Sequence, residues 1–173
     1  RLMISEKLAK INLLLLDVDG VLTTGEIIYN DSGEETKVFN VRDGLGIRLL
    51  MKAGIEVGII TGRRSGALDH RCRNLGIELV FEGALDKSSA LDAILAETGL
   101  PLEQIAFVGD DLLDLGVMGR VGLAVAVGDA HEAVRERAHL VTTAKGGKGA
   151  GRELSESILE AQGMGADLIE EYS

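Results

Sequence analysis

The sequence contains no tryptophan and only one cysteine, Cys72, in 173 residues. A single cysteine excludes a disulfide within the chain and is typical of proteins from a reducing compartment. We interpret Cys72 as a small buried side chain on a helix. No signal peptide is visible, and no run of about 20 apolar residues is present, so we expect a cytoplasmic protein without a membrane partner.

Basic residues are also scarce, because 18 lysines and arginines are outnumbered by 28 aspartates and glutamates. The formal net charge of -10 argues against a nucleic-acid partner, since no basic stripe is available to neutralise phosphates. Proline occurs once, at Pro101, whereas the 23 glycines predict tight turns between strands and helices. With 46% hydrophobic residues, we expect one domain with a sizeable core over residues 1–173.

The stretch Asp17-Val18-Asp19-Gly20 directly follows an aliphatic run over residues 11–16. Such a run, ended abruptly by acid and glycine, predicts a buried strand with two carboxylates at its carboxyl end. Two carboxylates this close repel each other and lose hydration, so a cation or a proton is needed to share the site. The alternative is a strand-end turn in which Asp and Gly are merely good turn formers.

The remaining chain predicts an α/β fold. Two β-prone segments, residues 26–29 and 35–39, flank an Asn/Asp/Ser/Gly cluster and predict a protruding hairpin. A polar connection over residues 40–44 then leads into a helix over residues 45–53. Regular alternation of strands and helices follows, up to a last helix ending near Gln162 and a polar tail. This pattern predicts a doubly wound parallel sheet with a Rossmann-like core and no large cap domain.

Several polar residues follow the predicted strands or begin the predicted helices, at intervals that approximate one strand-helix unit each. They are Asp17, Asp19, Thr61, Lys87, Asp110, Asp111 and Asp114. Because parallel strands end at the same edge of a sheet, we expect these side chains to converge there. Clustered carboxylates without histidine or cysteine favour Mg²⁺, and a hydroxyl and a lysine suit a phosphoryl group. Phosphoryl transfer needs mainly positioning and charge neutralisation.

These residues also have ordinary structural interpretations. Thr61 can be a turn residue, and Lys87 can be a solvated lysine at a helix start. Asp111 and Asp114 can be helix-start acids stabilised by the helix dipole. The ordered set favours the functional interpretation of Thr61 and Lys87, whereas both interpretations stay open for Asp111 and Asp114.

The order DVDG, TG, K, GDD resembles the haloacid-dehalogenase-like phosphohydrolases. The resemblance implies that Asp17 is the nucleophile that forms an aspartyl-phosphate and that its carboxylate also binds Mg²⁺. It implies that Asp19 is the general acid and then the general base, with its main-chain carbonyl on the metal. Thr61 and Lys87 would hold the transferring phosphoryl group, and Asp110 would be a further metal ligand. Asp111 and Asp114 would support the metal ligands indirectly.

The stretches DVDGVLT, FNVRDGLGIR, ITGR, GDDLLD and GGKGAGRE, with the hairpin and the Arg71-Cys72 region, are more closely similar to one subgroup. These are the 3-deoxy-D-manno-octulosonate 8-phosphate phosphatases of lipopolysaccharide synthesis. The resemblance implies a cap-less homotetramer whose hairpins meet at the centre and whose neighbouring subunit helps to cover the site. It implies substrate contacts from Asp19, Asn40, Val41, Arg42, Asp43, Gly44, Arg48, Gly62, Arg63, Arg71 and Lys87.

Arginines suit this substrate because they recognise carboxylates bidentately. Arg48 and Arg71 can also be surface arginines on helices, but substrate contact is the favoured interpretation for both, and more so for Arg63. Two residues depart from the subgroup: Thr24 stands where Asp is frequent, and Gly151 stands where a β-branched residue is usual. The first can alter loop hydrogen bonding and the second can loosen the tail.

Other functions remain open. A phosphatase for a related nine-carbon sugar acid 9-phosphate is the nearest alternative, but its relatives typically lack arginine after the TG motif, so Arg63 favours the octulosonate. A non-enzymatic phospho-accepting receiver domain also uses Asp, Thr, Lys and Mg²⁺. There the phosphorylated Asp follows a middle strand, whereas DVDG follows the first strand and carries its own acid. A catalytically silent relative is disfavoured by the intact motif set.

Overall fold

The computed structural model of the chain describes residues 3–173. The strands are β1 (Leu13–Leu16), β2 (Ile28–Tyr29), β3 (Glu35–Thr36), β4 (Glu56–Ile60), β5 (Leu79–Phe81), β6 (Ile105–Gly109), β7 (Leu123–Ala126) and β8 (Leu140–Val141). Six of them form one parallel sheet in the order β5-β4-β1-β6-β7-β8. The antiparallel pair β2-β3 forms a separate hairpin. The predicted parallel sheet and the predicted hairpin are therefore confirmed.

The helices complete the alternation with the strands. They are α1 (Ile4–Ala9), α2 (Val41–Lys52), α3 (Gly66–Leu75), α4 (Lys87–Thr98), α5 (Leu115–Met118), α6 (Glu132–Arg137), α7 (Ala150–Ala161) and α8 (Gly165–Glu170). Single 3₁₀ turns at Leu102–Gln104 and Leu112–Asp114 precede β6 and α5. Within residues 3–173, no large cap domain follows the hairpin, and no helix is long and apolar enough to cross a bilayer.

Strand β1 lies at the centre of the sheet because its four leucines are buried on both faces. Leu16, its last residue, is in register with Ile59 of β4 and Val108 of β6. The three strands therefore end almost level, and the residues that follow them meet at one edge. Gly58 allows β4 to pack tightly, because a Cβ there would lie 2.9 Å from a methyl group of Leu15. The register alone thus brings the segments after β1, β4 and β6 together.

The start of helix α2 differs from the prediction. Residues 40–44 were expected to be a connection, but α2 begins at Val41, and Asn40 caps it by accepting a hydrogen bond from Arg42 N at 2.8 Å. Gly44 and Gly46 weaken the helical pattern of the sequence, since glycine disfavours helix interiors. Gly46 is needed because a Cβ there would lie 3.0 Å from Arg152 Cα in α7. Close packing against α7 therefore outweighs the low helix propensity.

Two short helices, α1 and α8, have no counterpart in the prediction. Each has six residues, which is too short to be stable alone, so tertiary contacts decide whether it forms. Helix α1 packs against α7, and Gln162 Nε2 donates to Ile11 O at 2.8 Å just beyond α1. Helix α8 occupies the tail that was expected to be merely polar. The termini are therefore organised around α7.

Candidate active site

The first carboxylate, Asp17, follows β1 directly and is buried, with 7% of its surface exposed. Its Oδ1 accepts a hydrogen bond from Val18 N at 2.7 Å, and its Oδ2 lies 3.0 Å from Lys87 Nζ. Burial, followed by the charge of Asp114, raises the pKa of Asp17 to about 6, against the opposing effect of Lys87. Asp17 therefore lies in a site that favours an added cation.

Lys87 is the first residue of α4, after the N-cap Asp86, and it is buried rather than solvated. Its Nζ lies 2.6 Å from Asp114 Oδ1 as well as 3.0 Å from Asp17 Oδ2. Burial alone would lower the pKa of Lys87, but these two carboxylates outweigh it and the net shift is upward. Lys87 is therefore a fixed, permanently charged ammonium at the same edge as Asp17.

Three carboxylates meet beside this lysine: oxygen atoms of Asp17, Asp110 and Asp114 all lie within 4.8 Å of one another. Burial, followed by the charges of Asp17, Asp114 and Asp111, raises the pKa of Asp110 to about 8. An all-oxygen set of this kind, with more negative charge than one lysine balances, fits a hard divalent cation such as Mg²⁺. We call Asp17, Asp110, Asp114 and Lys87 the acidic cluster.

Asp111 and Asp114, which the sequence left equally open, have different surroundings. Asp114 is fully buried, and its Oδ2 accepts hydrogen bonds from Asp110 N at 2.8 Å and Asp111 N at 3.2 Å. Gly109 makes room for it, because a Cβ there would lie 2.6 Å from Asp114 Oδ2. Asp111 is exposed and its Oδ1 accepts from Leu112 N at the start of the 3₁₀ turn. Asp114 thus orients Asp110, whereas Asp111 caps a turn.

Thr61 follows β4 at the same edge and is buried. Its backbone is held on both sides, with Thr61 N donating to Phe81 O at 2.9 Å and Thr61 O accepting from Ala84 N at 3.0 Å. Its hydroxyl accepts a long hydrogen bond of 3.4 Å from Arg63 N. A Cβ on Gly62, between them, would make only an ordinary contact, 3.7 Å from Ala84 O. Thr61 therefore presents a positioned hydroxyl beside a loop whose backbone can approach a ligand.

The second carboxylate of DVDG, Asp19, lies in a different environment. Its Oδ1 is 2.5 Å from Nζ of Lys37, whose side chain is only 4% exposed, and its Oδ2 is 3.8 Å from Arg63 Nε. Lys37 also lies 2.8 Å from Glu35 Oε1, and the other oxygen of Glu35 pairs with Arg63 Nη2. We call Asp19, Glu35, Lys37 and Arg63 the hairpin network. Arg63 Nε is buried without a hydrogen-bond partner among residues 3–173.

Sequence reasoning missed Glu35 and Lys37 as site residues. Residues two apart on an extended segment point to the same face, so the pair forms one charged patch on the hairpin. Because the hairpin follows DVDG closely in the chain, this charged patch could have indicated from the sequence that Glu35 and Lys37 belong to the site. Hydrogen bonding to Lys37 lowers the pKa of Glu35, and the pKa of Lys37 is raised because Asp19 and Glu35 outweigh its burial.

The glycine-rich stretch before α7 supports the DVDG loop. Gly147 N donates to Val21 O at 2.8 Å, and a Cβ on Gly146 would lie 1.7 Å from Gly20 O. Gly20 itself has φ +87°, and a Cβ there would lie 2.0 Å from Asp110 Oδ2. Only glycine allows these two backbone segments and the Asp110 side chain to approach so closely. The motif GGKGAGRE therefore acts through packing against the loop.

The other predicted substrate residues form a second group at the start of α2. Arg71 Nη2 donates to Asn40 O at 3.2 Å, and its guanidinium lies 5.7 Å from the centre of the Phe39 ring. Gly44 leaves room for it, because a Cβ there would lie 2.3 Å from Arg71 Nη2. The side chains of Val41 and Arg42 are exposed. Arg48 donates a hydrogen bond to Asn74 O at 2.6 Å.

Asp43 is the buried member of that group. Its Oδ1 accepts from Arg152 N at 2.9 Å at the start of α7, and burial raises its pKa. Gly151 faces it, since a Cβ there would lie 3.2 Å from Asp43 Oδ1. A side chain at position 151 would require this carboxylate to shift by a few tenths of an ångström, so Gly151 lets α7 begin close to Asp43. The other departure, Thr24, is exposed and its hydroxyl donates to Glu26.

Comparison with known proteins gives consistent matches. A family model for haloacid dehalogenase-like hydrolases matches residues 77–154. The chain is 50% identical over 157 residues to the 3-deoxy-D-manno-octulosonate 8-phosphate phosphatase of Yersinia pestis, covering 91% of this chain and 84% of the relative. The identity to the corresponding Escherichia coli K12 phosphatase is 48%, with the same coverage.

Solved structures agree with these relatives. The crystal structure of the Yersinia pestis phosphatase matches with a TM-score of 0.93 and 48% identity, over 94% of this chain and 88% of that one. The Moraxella catarrhalis phosphatase, solved in complex with a magnesium ion, a phosphate ion and KDO, matches with a TM-score of 0.96 and 41% identity, over 98% and 97% of the two chains.

Proposed function

The chain belongs to the haloacid dehalogenase-like hydrolases, and we propose that it hydrolyses 3-deoxy-D-manno-octulosonate 8-phosphate to the free sugar acid and phosphate. The observation that carries this conclusion is the acidic cluster, which joins a nucleophile, a lysine and a cation site at one sheet edge. The Moraxella relative, similar over nearly its whole length, is named for this activity and was solved with magnesium, phosphate and KDO. The reaction is a step of lipopolysaccharide synthesis.

The cofactor is Mg²⁺. Asp17 and Asp110 would hold it through their carboxylates, and the family resemblance adds the main-chain carbonyl of Asp19. Asp114 keeps Asp110 in place through its backbone N–H and is itself paired with Lys87. When bound, the ion neutralises charge on the phosphoryl oxygens and keeps Asp17 ionised.

Asp17 and Asp19 divide the chemistry between them. A carboxylate oxygen of Asp17 attacks phosphorus, the bond from phosphorus to the sugar oxygen breaks, and Asp19 gives its proton to that oxygen. Asp19 then takes a proton from a water molecule that attacks phosphorus, and the bond between Asp17 and phosphorus breaks to release phosphate. Lys87 and Thr61 hold the phosphoryl group during both steps, because they lie at the same edge as Asp17.

Specificity comes from groups outside the acidic cluster. Arg63 is the strongest candidate for the sugar-acid carboxylate, because its buried Nε lacks a hydrogen-bond partner among the described residues. The second group, Asn40 to Gly44 with Arg71 and Arg48, would contact the sugar hydroxyls. The hairpin exposes Ile27, Ile28, Tyr29 and Val38, which supports a homotetramer in which hairpins meet and a neighbouring subunit covers the site.

The experiment is phosphate release by the purified protein with Mg²⁺ on a panel of phosphorylated sugar acids and neutral sugar phosphates. The expected result is the highest kcat/KM on 3-deoxy-D-manno-octulosonate 8-phosphate, with none in Asp17→Asn. A higher kcat/KM on a nine-carbon sugar acid 9-phosphate would favour the alternative substrate. Absence of hydrolysis across the panel would overturn the enzymatic function. Light scattering coupled to size-exclusion chromatography tests the tetramer.

A further inference from the structure

Each carboxylate of DVDG has its own lysine with an almost inaccessible side chain. Asp17 pairs with Lys87 from the start of α4, and Asp19 pairs with Lys37 from the hairpin. We propose that Lys37 is a positioning residue that holds the Asp19 carboxylate by its Oδ1, so that Oδ2 is left to exchange the proton with the leaving sugar oxygen. This inference rests on the proposed function, because it assigns a role to Lys37 in the same reaction.

The burial and the charges around Lys37 support this role. Its ammonium is almost inaccessible and lies between two carboxylates, 2.5 Å from Asp19 and 2.8 Å from Glu35. A buried ammonium is costly unless it is paired and hydrogen-bonded, so the lysine stays where both acids hold it. Asp19 is more accessible, with 22% of its side chain exposed, and no backbone N–H among the described residues donates to its carboxylate. The contact with Lys37 is therefore the shortest one that holds the Asp19 carboxylate in place.

The hairpin does not depend on the Lys37–Asp19 ion pair for its stability. The turn has its own hydrogen bonds, since Asn30 Oδ1 accepts from Ser32 N at 3.0 Å and from Glu34 N at 2.9 Å. Lys37 lies just beyond β3, and its ammonium reaches out of the hairpin to the DVDG loop. Glu35 connects the same ammonium to Arg63. The hairpin thereby ties the proton carrier to the arginine assigned to the substrate carboxylate.

The leaving group distinguishes positioning of an acid from a general structural role. A sugar alkoxide must be protonated as it departs, whereas p-nitrophenolate leaves without a proton. The parameter kcat/KM covers only the steps up to departure of the leaving group, so it isolates the acid role of Asp19. In Lys37→Met we expect kcat/KM to fall on the order of tenfold or more on the sugar-acid phosphate, a part of what a general acid contributes. On p-nitrophenyl phosphate we expect a change below about twofold, because no acid acts there.

Three further variants test the assignment. Lys37→Arg, which keeps the cation, should recover part of the selective loss. Asn30→Ala, which loosens the turn but keeps the Lys37–Asp19 pair, should change both substrates by the same factor. In an Asp19→Asn background, Lys37→Met should add little, since residues that act through one another are not additive. Thermal unfolding checks that each variant is folded. If Lys37→Met does not fold, Lys37→Gln takes its place, with the same expected results on the two substrates.

An equal fall on both substrates, no fall on either, or a full further loss in the Asp19→Asn background would overturn the role of Lys37. Failure of the proposed function would look different, because the wild-type protein would then not hydrolyse the octulosonate phosphate. In that case the effect of Lys37→Met is compared between p-nitrophenyl phosphate and the best alkyl phosphate of the panel. A larger fall in kcat/KM on the alkyl phosphate supports the role of Lys37, and an equal fall on both overturns it.

Discussion

Asp17 and Asp19 are two residues apart, but different parts of the molecule surround them. Asp17 lies in the acidic cluster, which is built from strand ends and a helix start, and its lysine comes from α4. Asp19 lies in the hairpin network, and its lysine comes from a segment outside the central sheet. In the proposed mechanism, phosphoryl transfer takes place at the sheet edge, whereas proton transfer and recognition of the substrate carboxylate take place at the hairpin network.

The acidic cluster and the hairpin network also differ in their balance of charges. In the acidic cluster three carboxylates meet one lysine, and burial with mutual repulsion raises the pKa of Asp110 to about 8. In the hairpin network two carboxylates meet two cations, Lys37 and Arg63, so the charges balance without an added ion once Asp19 has given up its proton. A divalent cation is therefore needed at the sheet edge but not at the hairpin.

The largest expected effect is at Asp17. In Asp17→Asn the amide is a poor nucleophile, so kcat should fall by about 10⁴-fold or more, as for loss of other catalytic nucleophiles. Phosphate release from both the sugar-acid phosphate and p-nitrophenyl phosphate measures it, because the acidic cluster serves every substrate. Turnover near that of the wild type would show that Asp17 is not the nucleophile.

Asp19→Asn should have a smaller and selective effect. We expect kcat/KM to fall by about 10²- to 10⁴-fold on the sugar-acid phosphate, the usual contribution of a general acid, and much less on p-nitrophenyl phosphate. Binding of inorganic phosphate, measured by calorimetry with Mg²⁺, should persist because the acidic cluster is intact. If the two substrates lose activity in parallel, the division of labour between the two regions is wrong.

The pH dependence of Mg²⁺ binding should be set by the carboxylates of the acidic cluster. The metal-free folded state holds protons on Asp110 up to about pH 8 and on Asp17 up to about pH 6, above the usual carboxyl values. Because these folded-state pKa values are raised, the metal-free protein should lose stability as the pH rises from about 4 through these values. Mg²⁺ must displace the protons, so its affinity should fall by about tenfold per pH unit between pH 8 and pH 6, where one proton is displaced. Below pH 6, where two protons are displaced, the fall should reach up to about a hundredfold per pH unit.

Thermal unfolding with Mg²⁺ and with a chelator, over this pH range, measures the effect. The stabilisation by Mg²⁺ should grow with pH in the wild type and in Lys37→Met, whose change lies in the hairpin network. It should be lost in Asp110→Asn. A Lys37→Met profile resembling that of Asp110→Asn would mean that the two regions are coupled through the metal.

The acidic cluster was largely predictable from sequence. An aliphatic run followed by acid and glycine predicts where a buried strand ends, and parallel strands bring such ends together. Asp17 and Asp110, with Thr61 beside the cluster, could therefore be placed at one edge from the sequence alone. The hairpin network was not predictable to the same degree. Which face of a hairpin meets the sheet edge depends on tertiary contacts, so Lys37 and Glu35 could only be seen as a charged patch.

The smallest expected effect lies at the border of the acidic cluster, at Asp111. The sequence does not separate Asp111 from Asp114, because both are acids at the start of a helical segment, but only Asp114 contacts Lys87 and orients Asp110. Asp111→Asn keeps a side chain that caps the 3₁₀ turn equally well, so kcat should change by less than about twofold. Asp114→Asn removes one of the two ion pairs of Lys87, the shorter one, and should cost far more. Equal losses in the two variants, measured as kcat on p-nitrophenyl phosphate, would place Asp111 inside the cluster.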